Sequence, residues 1–115
     1  MKNRVYLDYV RDIIDSIRDI ESFIKGMEFE EFKKDRKTIN AVVRSIEVIG
    51  EASKKIPAAI TADYPGVPWK KMGGMRDRLI HEYFGIDLEI LWTVASRDIK
   101  GLKPEIRRIL RDLKK

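Results

Sequence analysis

The sequence lacks the residue types that most metal and redox sites require. It contains no cysteine and a single histidine, His81. Without cysteine there can be no disulfide, no thiol nucleophile and no cysteine-based zinc site. One histidine also argues against a dedicated transition-metal site. We therefore expect a function that needs no metal ion and no other cofactor.

Long apolar runs are missing as well. No stretch approaches the roughly 18–20 apolar residues that span a bilayer, and the N-terminus has no signal-peptide core. A chain of 115 residues is long enough to bury the core of one domain. We predict a single domain, 1–115, that acts in the cytoplasm without membrane contact. Glutamine is absent and asparagine occurs twice, which resembles the composition of proteins from heat-loving organisms.

Positive charge exceeds negative charge, and the excess is uneven. The formal net charge is +5. Residues 1–56 hold 12 basic and 11 acidic side chains, whereas residues 57–115 hold 12 and 8. The second half of the chain therefore favours a polyanionic partner.

Apolar residues recur at helical spacing along most of the chain, and no strand-like alternation appears. Residues 4–25 carry a stripe at spacings of three and four, which predicts an amphipathic helix: Tyr6, Val10, Ile13, Ile17, Ile20 and Ile24. We expect a second helix over 28–55, with a break near residues 34–37 and an end at Pro57. A connector over 57–68 should hold one helical turn at 58–61.

Three further helices complete the predicted fold. They cover 69–83, 88–99 and 104–113. Gly85 should end the first, Asp87 is a good N-cap for the second, and Gly101 with Pro104 should separate the second from the third. The fold class is all-α, a four- to five-helix up-and-down bundle.

The segment from Gly74 to Gly85 gathers side chains suited to phosphodiester chemistry. RNA can be cut by its own 2′-hydroxyl if a base removes that proton, an acid protonates the leaving oxygen, and positive charge stabilises the phosphate. His81 can move the proton near neutral pH, Arg76 can hold the phosphate, and Asp77 can orient either of them. Each also has an ordinary structural role, since His81 could complement a helix dipole and Arg76 could be a surface charge.

The spacing of these residues indicates that one chain does not form a complete catalytic site. His81 follows Arg76 by five residues, which is about 140° around an ideal helix. Tyr83 follows Arg76 by seven residues and should share its face, unless it is simply a half-buried core aromatic. Because one chain offers one histidine for both proton-transfer roles, we predict a twofold homodimer with facing motifs.

The pattern Arg76-x4-His81-x-Tyr83 resembles the Arg-x4-His-x-Tyr signature of HepT-like toxins, a branch of the HEPN (higher eukaryotes and prokaryotes nucleotide-binding) superfamily. Asp77 matches the polar residue that usually follows the arginine in that superfamily. The likeness covers nearly the whole chain, because it extends to Gly50-Glu51-Ala52, to the Trp before Gly-Met-Arg, and to Ile86-Asp87 followed by Leu91-Trp92.

The resemblance implies a HEPN-like bundle that dimerises and a metal-independent endoribonuclease that acts on RNA, with tRNA as one candidate substrate. It implies the toxin of a type VII toxin–antitoxin pair, with the nucleotidyltransferase MntA as antitoxin. By this resemblance Arg76 and His81 would be catalytic, Asp77 would support them, and Tyr83 would be the residue that the antitoxin AMPylates.

Two other functions remain open at this point. The chain could be a non-catalytic HEPN subunit that binds a nucleotide or supports a nucleotidyltransferase, or a basic helical DNA-binding protein. No helix-turn-helix spacing favours the last. A small nucleotidyltransferase gene beside this one would support either HEPN function and weaken the third. The chain itself lacks the Gly-Ser and Asp-x-Asp residues of a nucleotidyltransferase.

Overall fold

The computed structural model describes the backbone of residues 2–81 and 87–114, and the side chains of residues 6–75 and 87–114. All regular structure in these ranges is helical, which confirms the all-α prediction. The helices are α1 (Lys2–Ile24), α2 (Phe29–Phe32), α3 (Arg36–Lys55), α4 (Ala58–Thr61), α5 (Trp69–His81), α6 (Leu88–Thr93) and α7 (Ile99–Lys114), with a π-helical turn at Val94–Asp98.

Helix α1 is the centre of the bundle and packs against both α3 and α7, while α3 also packs against α5. Lys55 Nζ, at the end of α3, lies 5.6 Å from the centroid of the Tyr9 ring near the start of α1. Lys103, early in α7, bonds to Glu21, late in α1, at 2.8 Å. Both neighbours therefore run antiparallel to α1, as an up-and-down bundle requires.

The apolar stripe predicted for α1 forms the core. Its four central members are fully buried, each with 0% of its surface exposed: Val10, Ile13, Ile17 and Ile20. Burial of one such side chain stabilises the folded state by about 1.5–3 kcal/mol. Packing of this stripe, rather than helix propensity, therefore supplies most of the stability of α1.

The predicted break in the second helical segment is confirmed between α2 and α3. Asp35 caps α3, because its carboxylate accepts hydrogen bonds from the Thr38 backbone N–H at 3.1 Å and from the Thr38 hydroxyl at 2.8 Å. These bonds hold the pKa of Asp35 below its usual value. The N-terminal side of the break is held by Phe32, which is buried against Trp92 with ring centroids 5.0 Å apart.

The prediction of two separate C-terminal helices, 88–99 and 104–113, is wrong. The backbone is helical from residue 88 to residue 114, and Pro104 lies inside α7. Proline removes a single backbone hydrogen bond and usually kinks a helix. Here the apolar side of α7 is buried on both sides of the proline, which offsets that cost: Ile99, Leu102, Ile106 and Ile109.

The irregularity in this long helix lies upstream of the proline, in the π-helical turn. The Ser96 hydroxyl donates to the Trp92 carbonyl at 2.6 Å, and the Thr93 hydroxyl donates to the Glu89 carbonyl at 3.0 Å. Such bonds to a carbonyl one turn earlier compete with the backbone ladder and bend helices. Two nearby hydroxyl residues therefore account for irregular winding at this point.

Candidate catalytic helix

Helix α5 holds three of the four predicted site residues, Arg76, Asp77 and His81. Their side chains lie outside the described residues, as does the whole of Tyr83 and the predicted helix end at Gly85. The described residues fix where α5 begins and what it packs against.

The first turn of α5 is anchored by the preceding connector. The Trp69 indole N–H donates to the Tyr64 carbonyl at 3.1 Å, and the Met72 N–H donates to the Pro68 carbonyl at 2.9 Å. Met72 is 1% exposed. These bonds and the burial of Met72 set the position of the helix four residues before Arg76.

Helices α3 and α5 approach each other closely at Gly73. A Cβ built at Gly73 would lie 3.2 and 3.3 Å from two carbons of the Lys54 side chain, so there is little space for a methyl group. At Gly74 the same construction meets nothing within 4 Å. The tight approach therefore occurs at the first glycine only, and against a side chain rather than a backbone.

Ideal helix geometry gives the relative positions of Arg76, Asp77 and His81 along and around α5. From Arg76 to His81 the backbone rises about 7.5 Å and turns about 140°. Asp77 and His81 are four residues apart, which places them as neighbours on one side of α5. The motif thus combines an acidic position one turn before the histidine with a basic position on a different side of the helix.

An apolar groove of about 470 Å³ adjoins α5 just before Arg76. Its apolar lining comes from the end of the connector, from α5 and from the long C-terminal helix: Pro68, Met72, Gly74, Met75, Ile90, Val94 and Leu102. Lys71 and Asp98 also line this groove. The groove was not predicted from the sequence. The residue that could have indicated the groove is Ile90, an apolar residue that lies off the buried stripe of α6. Ile90 is 51% exposed.

Tyr64 joins the connector to α7. Its hydroxyl donates to Asp112 Oδ2 at 2.7 Å, and the guanidinium carbon of Arg108 lies 5.2 Å from its ring centroid. Burial of the ring and the bond to Asp112 raise the pKa of Tyr64 to about 12. Because Tyr64 also accepts the Trp69 bond, this contact links the start of α5 to the end of α7.

Among the side chains that the structure describes, those of residues 6–75 and 87–114, no group of three or more His, Asp or Glu is placed to hold a metal ion. Over residues 2–81 and 87–114, no helix is long and apolar enough to cross a membrane.

The fold and the motif define the class of protein. An all-α bundle carries Arg76 and His81 on one helix, in a chain with an excess of positive charge. The chain matches the family model described as "Ribonuclease HepT-like" over residues 13–109. It belongs to the HepT-like ribonuclease family, which confirms the resemblance seen in the sequence.

Relatives span nearly the full length of the chain. A protein from Methanocaldococcus jannaschii, provisionally named as an RNase, is 46% identical over 105 residues, covering 91% of this chain and 87% of its own. The "Probable ribonuclease HepT" of Thermococcus cleftensis is 44% identical over 106 residues, covering 92% and 96%. No solved structure gives a significant match.

Proposed function

We propose that this protein is a toxin ribonuclease that cuts RNA without a metal ion, with Arg76 and His81 as its catalytic residues. The observation that carries the proposal is the position of both residues on α5, a helix whose start is anchored by buried contacts. Membership of the HepT-like ribonuclease family supports the reaction class, and the names of the relatives agree with it.

The reaction is a transesterification within the RNA. The ribose 2′-oxygen attacks the adjacent phosphorus, the new P–O2′ bond forms, and the P–O5′ bond breaks. A histidine removes the 2′-hydroxyl proton and a protonated histidine donates a proton to the 5′-oxygen. Arg76 stabilises the charge that builds on the phosphate. The products are a 2′,3′-cyclic phosphate and a 5′-hydroxyl.

A twofold dimer completes this scheme. Each chain has one histidine, and the reaction uses both a base and an acid. Arg76 and His81 lie about 140° apart around α5, so a phosphate between two antiparallel copies of α5 would meet Arg76 of one chain and His81 of the other. Asp77 precedes His81 by one helical turn and orients it.

Control of the site follows from Tyr83, which lies two residues beyond His81 in the sequence. A cognate MntA-like nucleotidyltransferase transfers AMP from ATP to the Tyr83 oxygen and releases pyrophosphate. The added phosphodiester carries a negative charge next to the motif and fills the space that RNA needs. Modification therefore blocks RNA by charge and by bulk.

The test of catalysis uses purified protein, a labelled RNA and an excess of EDTA. We expect cleavage in EDTA with products that end in 2′,3′-cyclic phosphate. Arg76→Ala and His81→Ala should each reduce cleavage to background while helicity and thermal stability stay close to wild type. Asp77→Asn should give a partial loss, because it removes the orienting charge only.

Arg97→Ala is the matched control, because Arg97 is an exposed arginine on the π-helical turn, outside the motif. This variant should cut RNA at nearly the wild-type rate. Undiminished cleavage in both motif variants would refute the assignment. An inactive wild-type protein that still binds a nucleotidyltransferase would favour the alternative, a non-catalytic HEPN subunit.

A further inference from the structure

A second groove, of about 460 Å³, runs along α7 on the side that meets the end of α1. We call it the basic groove. Four of its six lining residues are cations of α7, and the others are a proline and one carboxylate: Lys100, Lys103, Arg107, Arg111, Pro104 and Glu21. A groove lined in this way attracts anions.

Helix geometry arranges the cations as a stripe. At 100° per residue, Lys100, Arg107 and Arg111 fall within about 40° of one another around α7, and Lys103 lies about 60° to one side of Lys100. The stripe is about 16 Å long from Lys100 to Arg111. Arg107 and Arg111 are separated by a rise of about 6 Å, which is comparable to the separation of successive phosphates along a nucleic-acid strand.

Most of this positive charge is not neutralised by the part of the chain that the structure describes. Lys103 is paired with Glu21 at 2.8 Å. Among the described residues, no carboxylate lies within ion-pair distance of Lys100, Arg107 or Arg111. All three of these cations are exposed, so their charge is available to an anion in the groove.

The helix dipole explains only part of the stripe. Cations stabilise a helix C-terminus within its last turn, and Arg111 lies in the last turn of α7. Lys100 lies in the first turn of α7 and Arg107 in its middle. Those two positions gain nothing from the dipole, so the dipole does not account for their presence in one groove.

We infer that the basic groove, whose lining includes neither Arg76 nor His81, binds the phosphate backbone of the RNA substrate. The inference rests on the proposed function for the choice of RNA as the polyanion. Phosphate contacts position a nucleic acid without reading its sequence, so the groove sets the affinity and orientation of the strand. It should lower KM and leave kcat unchanged.

Binding is measured with a fluorescent 2′-O-methyl RNA 12-mer, which lacks the nucleophilic hydroxyl and therefore cannot be cut by the proposed route. The groove variant is Lys100→Gln/Arg107→Gln/Arg111→Gln. A plot of the logarithm of the association constant against the logarithm of salt concentration has a negative slope. If all three cations contact phosphates, the magnitude of this slope should be smaller by about 2 in the groove variant, and its affinity at 0.1 M salt should be about 100-fold weaker. With cleavable RNA, KM should rise and kcat should stay the same.

The control variant is Lys34→Gln/Arg36→Gln/Lys37→Gln, which removes three exposed cations at the α2–α3 junction and changes the net charge equally. It should bind the 12-mer almost as tightly as wild type. Equal losses in the two triple variants would overturn the inference, because net charge alone would then account for binding. An unchanged slope in the groove variant would overturn it too.

Two further readouts distinguish RNA binding from membrane binding, and the groove from the catalytic motif. If the groove variant loses binding to phosphatidylserine vesicles but keeps its affinity for RNA, the groove serves a membrane surface and the inference fails. If wild type binds the 12-mer through the groove but cuts no RNA in EDTA, the inference stands and the proposed catalysis fails. Circular dichroism must show equal helicity in all variants.

Discussion

The contact between Tyr64 and Asp112 offers a quantitative test of how the start of α5 is held. Tyr64 is 8% exposed and its hydroxyl donates to Asp112 at 2.7 Å. A hydrogen bond to a charged group contributes about 1.5–3 kcal/mol. Asp112 is exposed and can be hydrated once the hydroxyl is gone, so we take the lower part of that range. Tyr64→Phe should lower the free energy of unfolding by about 1.5–2 kcal/mol at pH 7.

The raised pKa of Tyr64 makes the stabilisation from this contact depend on pH. Its folded value of about 12 lies above the ordinary value of 10, so deprotonation is harder in the folded protein. The stabilisation is fully present below pH 10 and is lost as the pH rises through about 12. Wild type should therefore lose stability over this range, and Tyr64→Phe should lose less.

Urea unfolding at pH 7 and at several values between 9 and 12 measures both effects. Asp112→Asn is the partner variant, since it keeps an acceptor oxygen and removes the charge. In a double-mutant cycle the two substitutions should couple by at least about 0.5 kcal/mol. Additive losses, or an alkaline transition identical in wild type and Tyr64→Phe, would show that this hydrogen bond does not stabilise the fold.

Three further predictions concern control and the helix backbone. Tyr83→Phe should stay folded and cut RNA, yet resist AMP transfer by the cognate nucleotidyltransferase; mass spectrometry should find no added AMP. Gly74→Ala should raise the free energy of unfolding by about 0.5–1 kcal/mol, whereas Gly73→Ala should gain less because its methyl group meets a neighbouring side chain. Pro104→Ala should raise the melting temperature, since it restores a backbone bond inside α7; a lower value would contradict a continuous helix.

Much of the helical architecture could be predicted from local patterns. The α1 stripe has an uninterrupted period of three and four, and all of its central positions are buried. The N-cap at Asp87 was also predictable, because aspartate is a preferred N-cap residue. The structure confirms it, since the Asp87 carboxylate accepts hydrogen bonds from the backbone N–H groups of Glu89 and Ile90. These features depend on residues within one or two turns of each other, which a sequence displays directly.

The C-terminal helix shows where local patterns fail. Gly101 and Pro104 are strong helix breakers on their own, and they favoured two helices. Burial of α7 against α1 outweighs that preference, and the chain is helical through both residues. Propensity is a weak guide wherever a long apolar face meets a partner.

The functional sites also combine features that the sequence predicts with features that depend on the packing of the helices. The motif, its five-residue spacing and the family follow from the sequence alone, because these depend on residue identity along the chain. Only the tertiary structure placed Glu21 of α1 next to Lys103 of α7, residues 82 positions apart. It thereby distinguished the one cation of the basic groove that is paired from the three that have no ion pair with any described residue. A one-dimensional pattern records how many charges a chain has, but the pairing of those charges depends on which helices pack together.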